Sequence, residues 1–195
     1  PLHVRLAISM AGKIGTELGA DVTVLEPSVG DSLRQLPPFV RGSSWRSALF
    51  DFLHAGKNIV PLSNGFDWRE IESIGDAVLS DESKSVGGIT CVVISTFGPR
   101  HPDLNGPASE LTLMAMSGVL HMIGEQVGTP VRLPGHQPSY AAGLAAFLAM
   151  AAALFGGAPK TADVSILDAL LWINWKIIFE PMRKRTEIRQ AESEW

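Results

Sequence analysis

The feature that most constrains the fold of this chain is an apolar run from Ala141 to Phe155, which contains no charged residue. Its fifteen residues are fewer than the roughly twenty that a membrane-spanning helix needs. The run is rich in alanine, and small side chains allow a helix to pack closely against its neighbours. We therefore expect a buried core helix in a protein that does not enter a membrane.

Composition and charge indicate one globular domain. Of the 195 residues, 46% are hydrophobic and 18% charged, which is enough apolar material for a sizeable core. The net charge of −4 gives no basic face for nucleic acid, and the basic residues between 183 and 189 alternate with glutamates, as on a solvated helix. The single cysteine, Cys91, lies in an apolar run and is expected in the core. With no disulfide within the chain and no apolar signal at its start, we expect a cytoplasmic protein.

The first 25 residues predict a strand, a helix and a second strand. Val4, Leu6 and Ile8 alternate with other residues, which is a strand pattern. Ser9 can cap a helix that Gly19 ends, and residues 21–25 form the next strand. Such a unit requires a parallel sheet, so we predict an α/β fold with a Rossmann-like, mostly parallel sheet and flanking helices.

The rest of the chain continues the alternation of helices and strands. The clearest strand is 89–95, which is short, apolar and rich in β-branched residues. Ser165 and Asp168 form a capping-box pattern that opens a helix to Phe179. The remaining predicted helices are 45–53, 68–74, 109–123 and the alanine-rich segment, and the remaining strands are 59–62, 76–79 and one ending at Val164.

The sequence lacks the common catalytic and metal-binding motifs. It has no glycine-rich dinucleotide or phosphate loop, no cysteine and histidine pair at zinc spacing, and no serine nucleophile elbow. The five histidines are scattered, and His121 lies inside a predicted helix. We expect no metal ion, and the residues alone indicate only a globular α/β domain.

Three segments, in order, resemble conserved stretches of the class III CoA-transferases. Residues 19–27 (GADVTVLEP), followed by 30–34 (GDSLR), resemble the family opening LGADVxKVEP…GDxxR. Residues 94–98 (ISTFG), with 116–118 (MSG), resemble SISGFG…AMSG, and residues 162–169 (ADVSILDA) are similar to VDVSLLDA. The resemblance covers nearly the whole chain but about the first half of a normal family member. It implies that residues 1–195 form one amino-terminal segment of the large domain, with no small domain.

The resemblance implies CoA or acyl-CoA as substrate. In this family, which includes formyl-CoA transferase and alpha-methylacyl-CoA racemase, a Rossmann-like domain binds CoA and two ring-shaped subunits interlock. The transferases use an aspartate that attacks the acyl-CoA thioester and forms an enzyme-bound anhydride. The racemase branch uses a histidine and an aspartate to move a proton beside the thioester carbonyl.

Three residues of this chain fall on functional positions of the family. Arg34 matches an arginine expected to contact CoA phosphates, although it can also be a solvated loop residue. Glu110 matches the acidic position of the family's YD or YE pair and is either catalytic or a first-turn helix charge. Ser109 precedes it, where the racemase branch has its histidine. Ser139 occupies the position of the nucleophilic aspartate. It can instead cap the alanine-rich helix, or pair with His136.

Other departures also weaken the expectation of CoA transfer. The loop between the predicted first strand and first helix is about eight residues shorter than in the family, and Asp81 and Glu82 replace an asparagine and a phenylalanine. Whether the chain is an enzyme therefore stays open, because serine cannot form the anhydride.

Three functions remain. The first is a degenerate subunit that handles acyl-CoA beside a catalytic homologue, the second an active acyl-CoA enzyme that uses Glu110 or Ser139, and the third a scaffold that no longer binds CoA. We expect a homo- or hetero-oligomer, because apolar helix positions need another subunit to bury them. These positions are Leu144, Phe147, Leu148, Leu154, Leu170, Ile173 and Ile177.

Overall fold

The computed structural model describes residues 1–43, 45–62, 69–82, 88–102, 106–123 and 129–175. Within them the chain forms the predicted α/β fold, with parallel strands and flanking helices. The helices are α1 (Leu2–Glu17), α2 (Ala48–His54), α3 (Arg69–Ile74), α4 (Glu110–Met116), α5 (Gln137–Phe155) and α6 (Ile166–Ile173). The strands are β1 (Thr23–Glu26), β2 (Asn58–Pro61), β3 (Ala77–Ser80), β4 (Thr90–Ser95) and β5 (Thr161–Ser165). Short 3-10 turns cover Ser32–Gln35 and Val119–Met122.

The described strands form two parallel sheets. β1 pairs with β2, and β4 lies between β3 and β5 in a three-stranded sheet. Every residue of β4 is buried, because it has a strand on each side and lies in the core with α1 and α5. Its apolar, β-branched sequence suits such an enclosed parallel strand. The clearest strand predicted from the sequence is thus confirmed as the centre of the sheet.

Helices α1 and α5 pack with almost no gap. A Cβ atom on Gly143 would lie 2.7 Å from the Met10 Cβ and 2.8 Å from the Ala7 carbonyl oxygen. Only a glycine lets the two helices approach this closely. This contact fixes the position of the α5 amino terminus, which carries part of the candidate site.

The predicted amino-terminal strand is wrong, because residues 2–17 form one helix. Val4 and Ala7 pack in the main core, whereas Leu6 packs in a second cluster with Leu33 and Leu53. Burial on two sides of the helix places apolar residues at alternate positions and imitates a strand. Ser9 therefore lies inside α1 and does not cap it.

The segment that was compared with the family's first loop lies inside α1, so it is not a shortened loop and does not indicate a degenerate site. The prediction that the helix ends near Gly19 is confirmed. Gly19 adopts a positive φ of 98°, and its N–H donates to the Thr16 carbonyl at 3.1 Å.

One predicted helix is shorter than expected, and the expected end of another lies outside the described residues. The helix expected over 109–123 ends at Met116, because Gly118 takes a positive φ of 77° before the Val119–Met122 turn that holds His121. Ser165 caps α6 as expected, accepting the Asp168 N–H at 3.0 Å. The expected end of that helix at Phe179, Ile177 and the basic stretch 183–189 lie outside the described residues.

The alanine-rich helix is buried on one side only. Ser139, Ala142 and Ala146 are fully buried, whereas Leu148 is 58% and Phe155 96% exposed. At 19 residues α5 is longer than its apolar run, and it meets the length and composition of a membrane-spanning helix. A core helix meets the same criteria, and the buried face of α5 is part of the main core.

Candidate functional site

The candidate site lies where the central strand β4 ends. Thr96 follows β4 directly, and its hydroxyl lies 2.9 Å from the Nε2 of His3 at the start of α1. The first turns of α4 and α5 supply the other polar groups. Ligands of parallel α/β sheets commonly bind beyond the carboxyl ends of the strands. The fold thus places several helix starts at an edge that suits a binding site.

Glu110 is the central side chain of this cluster. One carboxylate oxygen, Oε1, accepts the Ser139 hydroxyl at 2.6 Å, and the other, Oε2, lies 2.6 Å from Nδ1 of His136. The Glu110 side chain is only 12% exposed and that of His136 24%. Glu110 opens α4, which Ser109 caps, so the helix dipole also favours its negative charge. Glu110 is therefore a first-turn charge that also holds Ser139 of α5 and His136, the residue that precedes this helix.

Ser139 does not cap α5, contrary to the expectation from the sequence. The helix begins two residues earlier, at Gln137, and Pro138 occupies a first-turn position that suits proline. Ser139 lies in the first turn with a fully buried side chain, and its hydroxyl donates to Glu110. Ser139, which the resemblance to the family places at the nucleophile position, is thus enclosed by protein.

The structure brings Ser139 and His136 together through Glu110. In a serine protease triad the imidazole lies between the hydroxyl and the carboxylate, and it takes the hydroxyl proton. Here the carboxylate lies between the hydroxyl and the imidazole. Ser139 therefore donates its hydrogen bond to Glu110 and not to His136. The pair of Ser139 and His136 considered from the sequence is linked only through the Glu110 carboxylate.

Three residues that the sequence analysis missed surround this cluster. His3 and Thr96 line one side, and the edge of the His136 ring meets Tyr140, with ring centroids 6.2 Å apart. Burial lowers the pKa of His3, whereas the Glu110 charge raises it less. Burial and the Glu110 charge raise the pKa of Tyr140. Thr96 could have been identified from the sequence, because it lies in one of the segments that resemble the family. His3 could not, because no local sequence pattern marks it.

Arg34 belongs to a second cluster. Its Nε and Nη2 atoms donate to Oε1 and Oε2 of Glu26, at 2.6 and 2.8 Å. The guanidinium also lies over the Phe50 ring, 4.0 Å from the centroid, and the Arg34 side chain stays 46% exposed. The hydrogen bonds from Arg34 lower the pKa of Glu26 to about 2, and burial opposes this in part. Arg34 is thus fixed in place by its own carboxylate partner.

Metal and cysteine chemistry find no support in the described residues. Within them, no group of three or more histidine, cysteine or acidic side chains is arranged to hold a metal ion. Cys91 lies in β4 and is 1% exposed, as predicted for a core residue. Burial raises the pKa of its thiol, so the reactive thiolate is disfavoured.

The sequence profile of CoA-transferase family III matches residues 83–194, which is more than half of the chain. This chain belongs to CoA-transferase family III. The match includes Glu110, His136 and Ser139, so the candidate cluster lies in the part of the chain that carries the family pattern. The family deals with CoA thioesters, which agrees with the class of substrate expected from the sequence.

Individual family members are similar to this chain over most of its length. Subunit BbsE of succinyl-CoA:(R)-benzylsuccinate CoA-transferase from Thauera aromatica is 27% identical over 83% of the chain and 48% of its own length. The probable CoA-transferase Rv1866 from Mycobacterium tuberculosis is 26% identical over 83% of the chain and 23% of its own length. The chain therefore spans about half the length of the first of these relatives and less of the second.

Solved structures share the fold. A CAIB/BAIF family protein from Brucella suis gives a TM-score of 0.79 at 18% identity, over 94% of this chain and 55% of that one. The hypothetical protein Rv3272 from Mycobacterium tuberculosis gives a TM-score of 0.73 at 19% identity, over 92% and 56%. The α/β architecture predicted from the sequence is therefore that of known family structures.

Proposed function

We propose that this chain handles CoA thioesters but does not carry out covalent CoA transfer by itself. The observation that carries the proposal is that Ser139, which the family resemblance places at the nucleophile position, is fully buried and donates a hydrogen bond to Glu110. An anhydride intermediate requires a carboxylate at that position. A serine there can only form an ester, and this one has no exposed surface for the thioester to approach.

The neighbouring carboxylate is also poorly placed to replace the aspartate as nucleophile. Both oxygens of Glu110 are engaged in hydrogen bonds of 2.6 Å, and the side chain is 12% exposed. Attack on a thioester would break at least one of these bonds. Glu110 therefore suits proton transfer and orientation better than covalent chemistry.

The proposal includes a homologous partner subunit that supplies a nucleophilic carboxylate. Large apolar side chains are exposed on α5 and α6, among them Leu148, Phe155, Trp172 and Ile173. Such surface is usual where a second polypeptide packs. The name of the Thauera protein describes it as one subunit of a CoA-transferase, which supports a similar arrangement here. In this proposal residues 1–195 act as one large-domain segment.

Calorimetric titration of the purified chain with CoA and acetyl-CoA tests the proposal. We expect saturable binding, weakened about tenfold by Arg34→Ala if the guanidinium also contacts CoA phosphates, since a charge-assisted hydrogen bond contributes about 1.5 kcal/mol. Arg46→Ala is the matched control, because Arg46 pairs with Asp51 at the same 2.6 Å. No binding, alone or with a co-purifying partner, would reject CoA chemistry and favour a scaffold role.

Intact-mass spectrometry after incubation with acetyl-CoA separates this proposal from an active covalent enzyme. An ester on Ser139 would replace one hydrogen by an acetyl group and release CoA thiol. A thioester on a carboxylate would add the mass of CoA less one water and release acetate. We expect neither adduct on the wild-type chain. A stable adduct that Ser139→Ala or Glu110→Gln abolishes would replace the proposal with covalent catalysis by that residue.

A further inference from the structure

His136 is held in the geometry of a general base. Its Nδ1 lies 2.6 Å from Oε2 of Glu110, and the side chain keeps 24% of its surface exposed. Its ring contacts Tyr140 edge-on, so the ring plane is also restrained. The nitrogen that remains for a ligand is Nε2.

The Glu110 carboxylate determines which nitrogen of His136 is basic. A carboxylate that accepts from Nδ1 keeps the proton on that nitrogen, so the lone pair of the neutral ring lies on Nε2. The same carboxylate stabilises the imidazolium that forms when Nε2 takes a proton. Since Ser139 donates to the other oxygen, the carboxylate is restrained at both ends.

Among the described residues, the hydroxyl and thiol considered as nucleophiles are both enclosed, so water is the group that His136 can activate. The Ser139 hydroxyl is fully buried and directed to Glu110, and the Cys91 thiol is enclosed in β4. His136, in contrast, reaches solvent. A water molecule at Nε2 needs no rearrangement of these hydrogen bonds.

We infer that His136, oriented by Glu110, activates water for the hydrolysis of a CoA thioester. Nε2 takes a proton from water as the oxygen attacks the thioester carbonyl. The carbon–sulfur bond then breaks, and the CoA thiolate takes the proton back from the imidazolium. The products are a carboxylic acid, which ionises in solution, and CoA thiol, with no oxidant or further reactant. The inference rests on the proposed binding of CoA thioesters.

Release of CoA thiol from acetyl-CoA by the full chain tests the inference, with a thiol-reactive dye as reporter. Cys91 is 1% exposed, so the folded chain should contribute little background. We expect His136→Gln to lower the rate of release by about 100-fold, the lower range for loss of a general base. His121→Gln, in the Val119–Met122 turn that follows α4, should stay within about twofold of wild type. Acetate formed in oxygen-18 water should carry one label.

The outcomes separate this inference from the proposed function. Calorimetric binding of acetyl-CoA without thiol release would overturn the hydrolysis and leave CoA binding in place. Release that persists in both His136→Gln and Glu110→Gln would assign the reaction to other groups. Absence of binding would reject the proposed function and the hydrolysis together.

Discussion

Two glutamates of this chain, Glu26 and Glu110, each accept two short side-chain hydrogen bonds, but their donors differ. Glu26 faces the guanidinium of Arg34, which is always charged, and its pKa falls to about 2. Glu110 faces the Ser139 hydroxyl and the His136 imidazole, neither of which carries the fixed charge of a guanidinium. The first carboxylate is held in an ion pair with a fixed charge, whereas the second orients two side chains of the candidate site.

The comparison shows that the chemistry of a carboxylate depends on what donates to it. The Glu26 pair joins β1 to the 3-10 turn, and Arg34 extends this contact to Phe50 of α2. The Glu110 cluster joins α4 to the first turn of α5 beside the end of β4. We therefore expect substitutions of Glu26 to act on stability and substitutions of Glu110 to act on function.

The largest effect is expected for Glu110→Gln. A glutamine amide cannot serve as an anionic acceptor for both the Ser139 hydroxyl and the His136 N–H, so the imidazole loses its orientation and its charged partner. Thioester hydrolysis should fall by about 100-fold or more. The initial rate of CoA release from acetyl-CoA measures this, with calorimetric CoA binding as the control. An unchanged rate would show that Glu110 has only a structural role.

The second-largest effect is expected for Glu26→Gln. This substitution should lower the free energy of unfolding by about 1–2 kcal/mol, because it removes the ion pair with Arg34. This range allows for the half-exposed Arg34, whose charge solvent screens. The wild-type pair should also make the fold sensitive to acid. Because the folded pKa of about 2 lies below the unfolded value of 4.5, the stabilisation is present above pH 4.5 and disappears as the pH falls toward 2.

Denaturant unfolding at several pH values between 7 and 3 checks this prediction, with pH 7 and 3 chosen to bracket the ordinary titration of glutamate. The difference in unfolding free energy between wild type and Glu26→Gln should shrink as the pH decreases. A difference that stays constant with pH would show that the ion pair does not stabilise the fold.

The smallest effect is expected for Ser139→Ala. It removes one hydrogen bond to Glu110 and should cost about 1 kcal/mol of stability, while hydrolysis falls only a few-fold because His136 keeps its carboxylate. Thermal unfolding and the rate of CoA release measure the two quantities. A loss of activity as large as that of Glu110→Gln would instead identify Ser139 as a nucleophile.

The sequence was sufficient for the local elements whose signals are strong. The buried strand β4, the cap of α6 at Ser165 and the end of α1 near Gly19 all follow from short-range preferences. The strand predicted for residues 4–8 failed because α1 is buried on two sides, which depends on tertiary packing. Periodicity alone does not contain that information.

The site was predictable only in part. The family resemblance pointed to Glu110 and Ser139, which lie 29 residues apart in the chain and share a hydrogen bond in the fold. His3 and Thr96 are 93 residues apart, and their contact requires α1 to pack at the end of β4. The cap proposed for Ser139 was wrong because Pro138 moves the helix start toward His136.

The most direct test of the account is the rate of CoA release from acetyl-CoA by Glu110→Gln and Glu26→Gln, measured side by side at a temperature where both remain folded. At saturating acetyl-CoA, where weaker binding does not lower the rate, we predict that Glu110→Gln loses release by about 100-fold. Glu26→Gln should stay within about twofold of wild type, although it is the less stable variant. If Glu26→Gln, the less stable variant, instead shows the larger loss of release, the result would contradict a functional role for Glu110.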